Sequence, residues 1–464
     1  MPARKVVTNV KAETAVLGTQ FNPDVLGFSA VVTQGKIGKS GNLEGQTRRY
    51  RLNSKRQLSA EFAPEIGGAL FDGTHNVSYC RDELGQLTGK SLGAACATAA
   101  SANLLTNSFD SRNRLSITTF AGNSAPSKSY SHSNGNVELI ERGDGVILDP
   151  EYNEIDQLKS QDYVVDGYKF RVRFEYDTMQ NIKALVYPSG KRIAITADTL
   201  SRIIKVLPYV TNVEYFEIGA PKAITYANGQ RTDVTLSSQN LIDGMKTEFG
   251  STVAVNLDYG HDLNGNPTSV QDFLNPNDNL EARYDQLNRL TKQNYVNLPN
   301  GQNMYRSYDS LGNVLFDRSP VGDVNFNYDA STNRLLSASS SNSAFFPNRS
   351  FSYDRLGNMQ SDGVRTLTFN SASELMNGTR AGQSKSIKYD GAERIIREAS
   401  NGETHYFIHL GENLILDFNA TTNKYTEYTY LGSQLIGSRV VSNAATNDSD
   451  ADGKSDLLEF TNPD

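Results

Sequence analysis

Apolar and polar positions alternate with a period of two along much of this chain. In Phe170-Arg171-Val172-Arg173-Phe174-Glu175-Tyr176-Asp177 the Phe, Val, Phe and Tyr share one parity and the charges the other. That period predicts a half-buried strand and excludes a helix. The apolar series ends in a Tyr, whose ring can sit inside while its hydroxyl finds a partner. The Asp that follows is placed to accept backbone N–H groups of a turn. This ending recurs at Tyr284-Asp285-Gln286-Leu287-Asn288-Arg289, Tyr308-Asp309-Ser310-Leu311-Gly312-Asn313 and Tyr353-Asp354-Arg355-Leu356-Gly357-Asn358, with looser copies at Tyr328-Asp329 and Tyr389-Asp390 and a decayed one at Phe369-Asn370. Gly312, Gly357, Asn288 or Asn333 then supplies a residue tolerant of positive φ, and Leu290, Val314, Leu335 or Met359 opens the next strand. Intervals of about 16 to 25 residues fit two strands and two turns, one β-hairpin per repeat. Turn chemistry for the opposite hairpin end stands at Tyr187-Pro188-Ser189-Gly190 and Tyr226-Ala227-Asn228-Gly229. The expectation is an all-β chain of repeated antiparallel hairpins.

Composition agrees with many short strands and turns. Hydrophobic residues make up 38% of 464, with 37 Gly, 23 Tyr, 20 Phe and no Trp. No apolar run approaches membrane-span length, so no membrane span is expected. The start, Met1-Pro2-Ala3-Arg4-Lys5, lacks the apolar stretch of a signal peptide, and the chain reads as a fragment of something longer. Net charge is −7, and residues 445–464 hold six acids against one Lys. The near-neutral remainder exerts no long-range pull on nucleic acid. The basic cluster Arg48-Arg49-Tyr50-Arg51 with Lys55-Arg56 reads as a solvated strand face. Cys80 and Cys96 are the only cysteines, and the sequence leaves a disulfide and two free thiols equally open.

The acidic end has a definite spacing. In Asp448-Ser449-Asp450-Ala451-Asp452-Gly453-Lys454-Ser455-Asp456-Leu457-Leu458-Glu459, oxygen ligands fall at loop positions 1, 3, 5 and 9, with Gly at 6 and Glu at 12. Ca²⁺ needs about six to eight oxygens, and this spacing brings four aspartates together around the sharp turn at Gly453. The predicted ligands are Asp448, Asp450, Asp452, the Lys454 carbonyl, Asp456 and a bidentate Glu459. A polar segment before the loop and Phe460-Thr461-Asn462-Pro463-Asp464 after it are non-helical. The loop thus resembles a thrombospondin type 3 calcium repeat, in which such loops come in arrays, and reads as the start of one.

Catalytic signatures fail on spacing. Gly38-Lys39-Ser40 and Gly89-Lys90-Ser91 have Thr33 and Leu84 where a phosphate-binding loop needs its first Gly. His405 and His409 flank Tyr406-Phe407-Ile408, a strand pattern that sets the imidazoles about 13 Å apart, too far to share a zinc. No Gly-x-Ser-x-Gly elbow occurs. No catalytic residue is assigned.

The Tyr-Asp-x-x-Gly-Asn signature resembles the YD repeat of bacterial RHS and Tc-toxin proteins and of animal teneurins. The segment from Tyr406 to Val441, with Leu414-Ile415-Leu416-Asp417 and Tyr428-Thr429-Tyr430-Leu431-Gly432, is similar to the RHS core region. The resemblance covers residues 79 to 441, strongest from Tyr176, with weaker copies at Tyr79-Cys80-Arg81-Asp82-Glu83-Leu84-Gly85 and Phe109-Asp110-Ser111-Arg112-Asn113-Arg114-Leu115. It implies a hairpin strip spiralling into a curved or hollow β-shell, which in several members encloses a C-terminal toxin. Self-cleaving shells of that family carry an Asp-Pro-x-Gly-Leu type motif after the core. Here Val440-Val441 runs into the calcium tail, and Asp149-Pro150 and Asn462-Pro463 lie outside that context, so no protease site is assigned.

The division expected is a degenerate N-terminal repeat region at 1–165, a repeat shell at 166–445 and the calcium loop at 446–464. The function expected is that of a non-enzymatic shell segment of a secreted or cell-surface protein. Its partners would be toxin cargo or other shell segments. The alternative is an adhesion module that binds a surface glycan or protein through exposed Tyr.

Overall fold

The computed structural model describes residues 5–442, apart from 13–14, 24–28, 38–42, 68–69, 71–72, 74, 97, 99–101, 124, 297–302 and 345. The calcium loop therefore lies outside the described residues. Within them the fold is all-β: short strands follow one another, and the only helical turns are 3-10 segments at Ala121–Asn123 and Pro276–Asp278. Each described ladder is antiparallel and joins strands consecutive in the chain, as in Tyr168–Tyr176 with Ile182–Val186 and Asn303–Tyr308 with Val314–Ser319. Among the described residues, no helix is long and apolar enough to cross a membrane.

The alternation that predicted the strands decides which faces are buried. In Tyr168–Tyr176, Phe170, Val172 and Phe174 are buried while Arg171 is exposed. At each tyrosine of the signature the ladder slips by one residue. Glu175 pairs with Ala184 but Tyr176 with Ile182, and Ser307 pairs with Phe316 but Tyr308 with Val314. The same slip occurs at Tyr284, Tyr328, Tyr353 and Tyr389. Such a bulge leaves one residue of the return strand unpaired and increases the local twist.

The turn after each bulge is closed by its acid. Asp309 Oδ1 accepts the N–H of Leu311 and of Asn313, each at 2.8 Å, while the Asp309 N–H donates to the Asn313 carbonyl at 2.9 Å. Asp177, Asp285, Asp354 and Asp390 make the same pair of acceptor bonds. Asn53, Asn153 and Asn370 do so with an amide oxygen, and Ser237 does so with its hydroxyl. The fourth turn residue lies at positive φ, which Gly312 (93°) takes without strain and Asn288 (58°) tolerates. Hydrogen bonding favours the ionised acid. The Arg114 N–H holds Asp110 at about 2, and the Ser331 hydroxyl holds Asp329 at about 2.

By contact the chain falls into two compact units, each assembled from separated stretches: 1–107, 236–244 and 256–369 in the first, and 108–235, 245–255 and 370–464 in the second. The first unit has a small core of Val77, Leu92 and Leu104, packed by Ile66, Tyr79 and Leu356. Buried Asn76 ties the 63–66 segment down, accepting the Ala63 N–H and donating to the Ala63 and Ile66 carbonyls. Arg334 Nε donates to the Glu65 carbonyl at 2.8 Å, and the Gly67 N–H to the Arg355 carbonyl at 2.6 Å. Cys80 and Cys96, left open by the sequence, form a disulfide with Cα atoms 5.0 Å apart. Arg48, from the basic cluster, pairs with Glu65, and Arg49 stacks over Phe62.

The second unit holds the larger core. Val146, Tyr163, Val165, Phe170, Val172 and Ile193 from its first run of hairpins meet Ile396, Ile408, Leu416, Phe418 and Tyr425 from its second. At the centre the ring centroids of Tyr168 lie 5.0 Å from Tyr406 and 5.3 Å from Phe418, and those of Phe170 and Phe418 lie 5.8 Å apart. Tilted and edge-on arrangements of this kind contribute about 0.5–1.5 kcal/mol per pair beyond area burial.

Candidate functional site

Two sets of side chains do more than complete their own hairpin. The first joins each hairpin to the one before it. The Tyr308 hydroxyl donates to the Leu290 carbonyl at 2.8 Å, and Leu290 is the residue that leaves the preceding turn. Tyr176 reaches Leu158, Tyr215 Ile203, Tyr284 Pro267, Tyr353 Leu335 and Tyr430 Leu414 in the same way, at 2.6 to 3.0 Å. Burial of the ring pushes the Tyr176, Tyr284 and Tyr353 hydroxyls above their ordinary range, so they remain proton donors at any physiological pH.

Where the fifth turn position is Arg, it fastens the next hairpin as well. The Arg289 guanidinium bonds Asp285 in its own turn at 2.7 Å, stacks over the Tyr308 ring at 4.5 Å and donates to the Asp309 carbonyl at 3.2 Å. Arg202 lies over Tyr215 at 4.7 Å, and Arg334, the sixth residue of a turn one residue longer, lies over Tyr353 at 5.3 Å. Where the position is Asn, an amide replaces the cation: Asn266 bonds Asn288, and Asn313 bonds Asn333. Turn thus adheres to turn along the strip.

The second set is a seam inside the second unit, where side chains more than 200 residues apart in sequence meet. Arg142, 1% exposed, makes a two-pronged contact with Glu374 at 2.8 and 2.9 Å. Burial opposes the charge on Glu374, but the guanidinium and the Asn370 amide outweigh it and leave the carboxyl below its ordinary range. Buried Lys128 pairs with Glu393 at 2.5 Å. Asp166 receives Lys388 at 2.6 Å and Arg397 at 2.8 Å. The Tyr163 hydroxyl donates to the His409 carbonyl at 2.5 Å, and the Tyr187 hydroxyl to the Tyr428 carbonyl at 2.7 Å. Arg439 joins Glu427 at 2.8 Å and Ser189 at 3.1 Å. No local pattern announced this set: its members are ordinary turn and strand residues, and only the packing of two runs brings them together.

The residues that sequence singled out for other chemistry are also accounted for. His405 and His409 lie on one strand, Glu403–Leu410. Burial works against protonation of His405, yet Asp417 at 2.7 Å and Glu403 at 3.6 Å raise its pKa; burial lowers that of His409. Among the described residues, no group of three or more His, Cys, Asp or Glu is placed to hold a metal ion. Gly89-Lys90-Ser91 lies within the strand Leu87–Leu92, which puts it on a ladder and not around a phosphate.

This fold is found in Tc-toxin structures. The chain superposes on the Photorhabdus luminescens Tc holotoxin pore with a TM-score of 0.62 and 14% identity, over 89% of its own length and 25% of that chain. On TcdB2-TccC3 without its hypervariable C-terminal region the TM-score is 0.65 at 13% identity, again over 89% of this chain and 25% of that one. Among curated proteins, the tRNA nuclease WapA of Bacillus subtilis (strain 168) is 28% identical over 152 residues, 32% of this chain and 6% of WapA. The chain therefore corresponds to about a quarter of the Tc chains and a small part of WapA. No family model matches.

The Arg142–Glu374 pair gives the seam a measurable signature. Glu374→Ala strands a buried guanidinium and should destabilise the second unit by about 3–5 kcal/mol, whereas Arg142→Met with Glu374→Leu should cost much less. With no Trp in the chain, urea unfolding is followed by tyrosine fluorescence and far-UV circular dichroism. An unchanged midpoint for Glu374→Ala would show that the pair does not hold the seam.

Proposed function

We propose that the chain is part of the wall of a hollow β-shell of the RHS and Tc-toxin kind. In this reading it is a structural, non-enzymatic element that stands outside the cell or at its surface and encloses toxin cargo together with other shell segments. The observation that carries this is the turn-to-turn fastening of successive hairpins, Tyr308 to Leu290 and Arg289 to Tyr308 and Asp309, repeated along the strip. A recurrent bulge beside each fastened turn bends a strip progressively, and a bent strip whose turns are bonded to one another makes a wall. The likeness to the Tc-toxin fold supports the same reading.

Small-angle scattering of the monodisperse full chain tests it. A compact globule of 464 residues has a radius of gyration of about 23 Å, and a curved wall must exceed that clearly. A value at the compact limit, with a scattering profile of a filled sphere, would contradict the reading.

We further propose that Asp448, Asp450, Asp452, the Lys454 carbonyl, Asp456 and Glu459 bind one Ca²⁺ that stiffens the segment after the last strand. Titration calorimetry with CaCl₂ should give a dissociation constant of about 10⁻⁴–10⁻³ M, the range of extracellular calcium modules, and Asp452→Ala should abolish the heat. Absence of binding in the wild type, or normal binding by the variant, would remove the site.

A further inference from the structure

The strands Glu403–Leu410 and Asn413–Asn419 form one hairpin of the second unit. The turns that enter and leave it, at 400–403 and 419–424, lie on one rim and are bonded to each other. The Ala420 N–H donates to the Thr404 carbonyl at 2.8 Å and the Thr404 N–H to the Thr421 hydroxyl at 3.1 Å. That hydroxyl donates in turn to the Gly402 carbonyl at 3.3 Å. His405 stands beside this junction. It pairs in register with Asn419 on one side and Glu398 on the other, so the three side chains share a face. Its Nδ1 lies 2.7 Å from the Asp417 carboxylate and its Nε2 3.1 Å from the Asn419 amide nitrogen.

These partners dictate where the ring carries its protons. A carboxylate accepts, so Nδ1 bears a hydrogen. The Asn419 carbonyl oxygen already accepts the Thr422 N–H at 3.0 Å, which turns the amide NH₂ toward the ring. An NH₂ donates, so this contact holds only when Nε2 is a bare acceptor and the imidazole is neutral. A proton on Nε2 sets two donors face to face. An acceptor for it stands on the same strand: Glu403, 3.6 Å from Nε2 and 56% exposed.

We propose that His405 is a pH-operated fastener at this rim, bonded to Asn419 when neutral and to Glu403 when protonated. Asp417 holds Nδ1 in both states and keeps the ring in place while Nε2 changes partner. Other charges on this face offset one another: Glu398 is paired with Lys385 at 2.6 Å, and Lys424 stands beyond Asn419 on the next strand. Burial pushes the nearby Tyr428 hydroxyl up, so it stays uncharged. Burial also opposes charge on His405, but Asp417 and Glu403 outweigh it and raise the pKa above its ordinary value. The protonated ring therefore adds stability that is fully present below about pH 6.5 and is lost as pH rises through the raised value. Acid thus exchanges a tie to the 419–424 turn for an ion pair along and across the ladder.

NMR titration of the full chain, labelled with carbon-13 at histidine Cε1, tests this. The chain has five His, and His405→Gln identifies the resonance. The His405 midpoint should lie above about 6.5. Glu403→Gln should lower it, because the charged ring loses its Nε2 acceptor. Asn419→Ala should raise it, because the neutral ring loses its donor; a residue that served packing alone would not move it upward. Thermal melts give a second readout, in which the margin of the wild type over His405→Gln is larger at about pH 5.5 than at about pH 8.5. A midpoint at or below about 6.5, or one that Glu403→Gln does not lower or Asn419→Ala does not raise, would overturn the proposal. So would a melting margin that fails to grow toward acid.

Discussion

A hairpin connection must satisfy the backbone N–H groups that leave the strand ladder, and in this chain one side-chain oxygen does so turn after turn. Asp309 Oδ1 takes two of them, from Leu311 and Asn313, and its partner oxygen takes the Asn313 amide at 2.7 Å. With the turn fixed, the residue before it is fixed as well. The Tyr308 ring then lies against the previous hairpin and its hydroxyl reaches the Leu290 carbonyl. Neighbouring strands of any sheet share ladder bonds; here neighbouring turns are bonded too. These hairpins thereby gain an edge of fastened turns.

Much of this was legible in the sequence, for a physical reason. The period of two, the Tyr that closes the apolar parity, the acid after it and the Gly or Asn at positive φ are all local requirements, and local requirements leave local traces. The decayed copy at Phe369-Asn370 is a turn of the same geometry, with Asn370 accepting the Ala372 and Glu374 N–H groups at 3.0 Å each. The signature was also narrower than the geometry. Ser237 caps its turn with a hydroxyl, and the turn from Phe216 to Ala220 closes on backbone bonds with Gly219 at positive φ. Neither contains the Tyr-Asp pair.

What escaped the sequence is non-local. Arg142 and Glu374 carry no sign of each other, and neither do Tyr163 and His409 or Tyr187 and Tyr428; their pairing depends on how two runs of hairpins pack. The role of Arg289 was half visible. Its place in the turn was part of the pattern, but its stacking on Tyr308 in the next hairpin is a relation between repeats. The seam and the turn rows also divide the work differently. The turn rows are rich in weak, repeated, partly exposed contacts, whereas the seam includes the buried Arg142–Glu374 pair, whose loss is costly. A strip of hairpins of this design tolerates the loss of a contact at any one turn and is sensitive at the seam.

The central claim is that capped turns are rigid parts of the hairpin strip. Native-state hydrogen exchange at the Asp309 turn tests it most directly. The amides of Leu311 and Asn313 should exchange as slowly as those of the adjoining strand Val314–Ser319, and Asp309→Ala should release them selectively. Exchange of these two amides at the rate of an open loop in the wild type, with the strand still protected, would contradict the account.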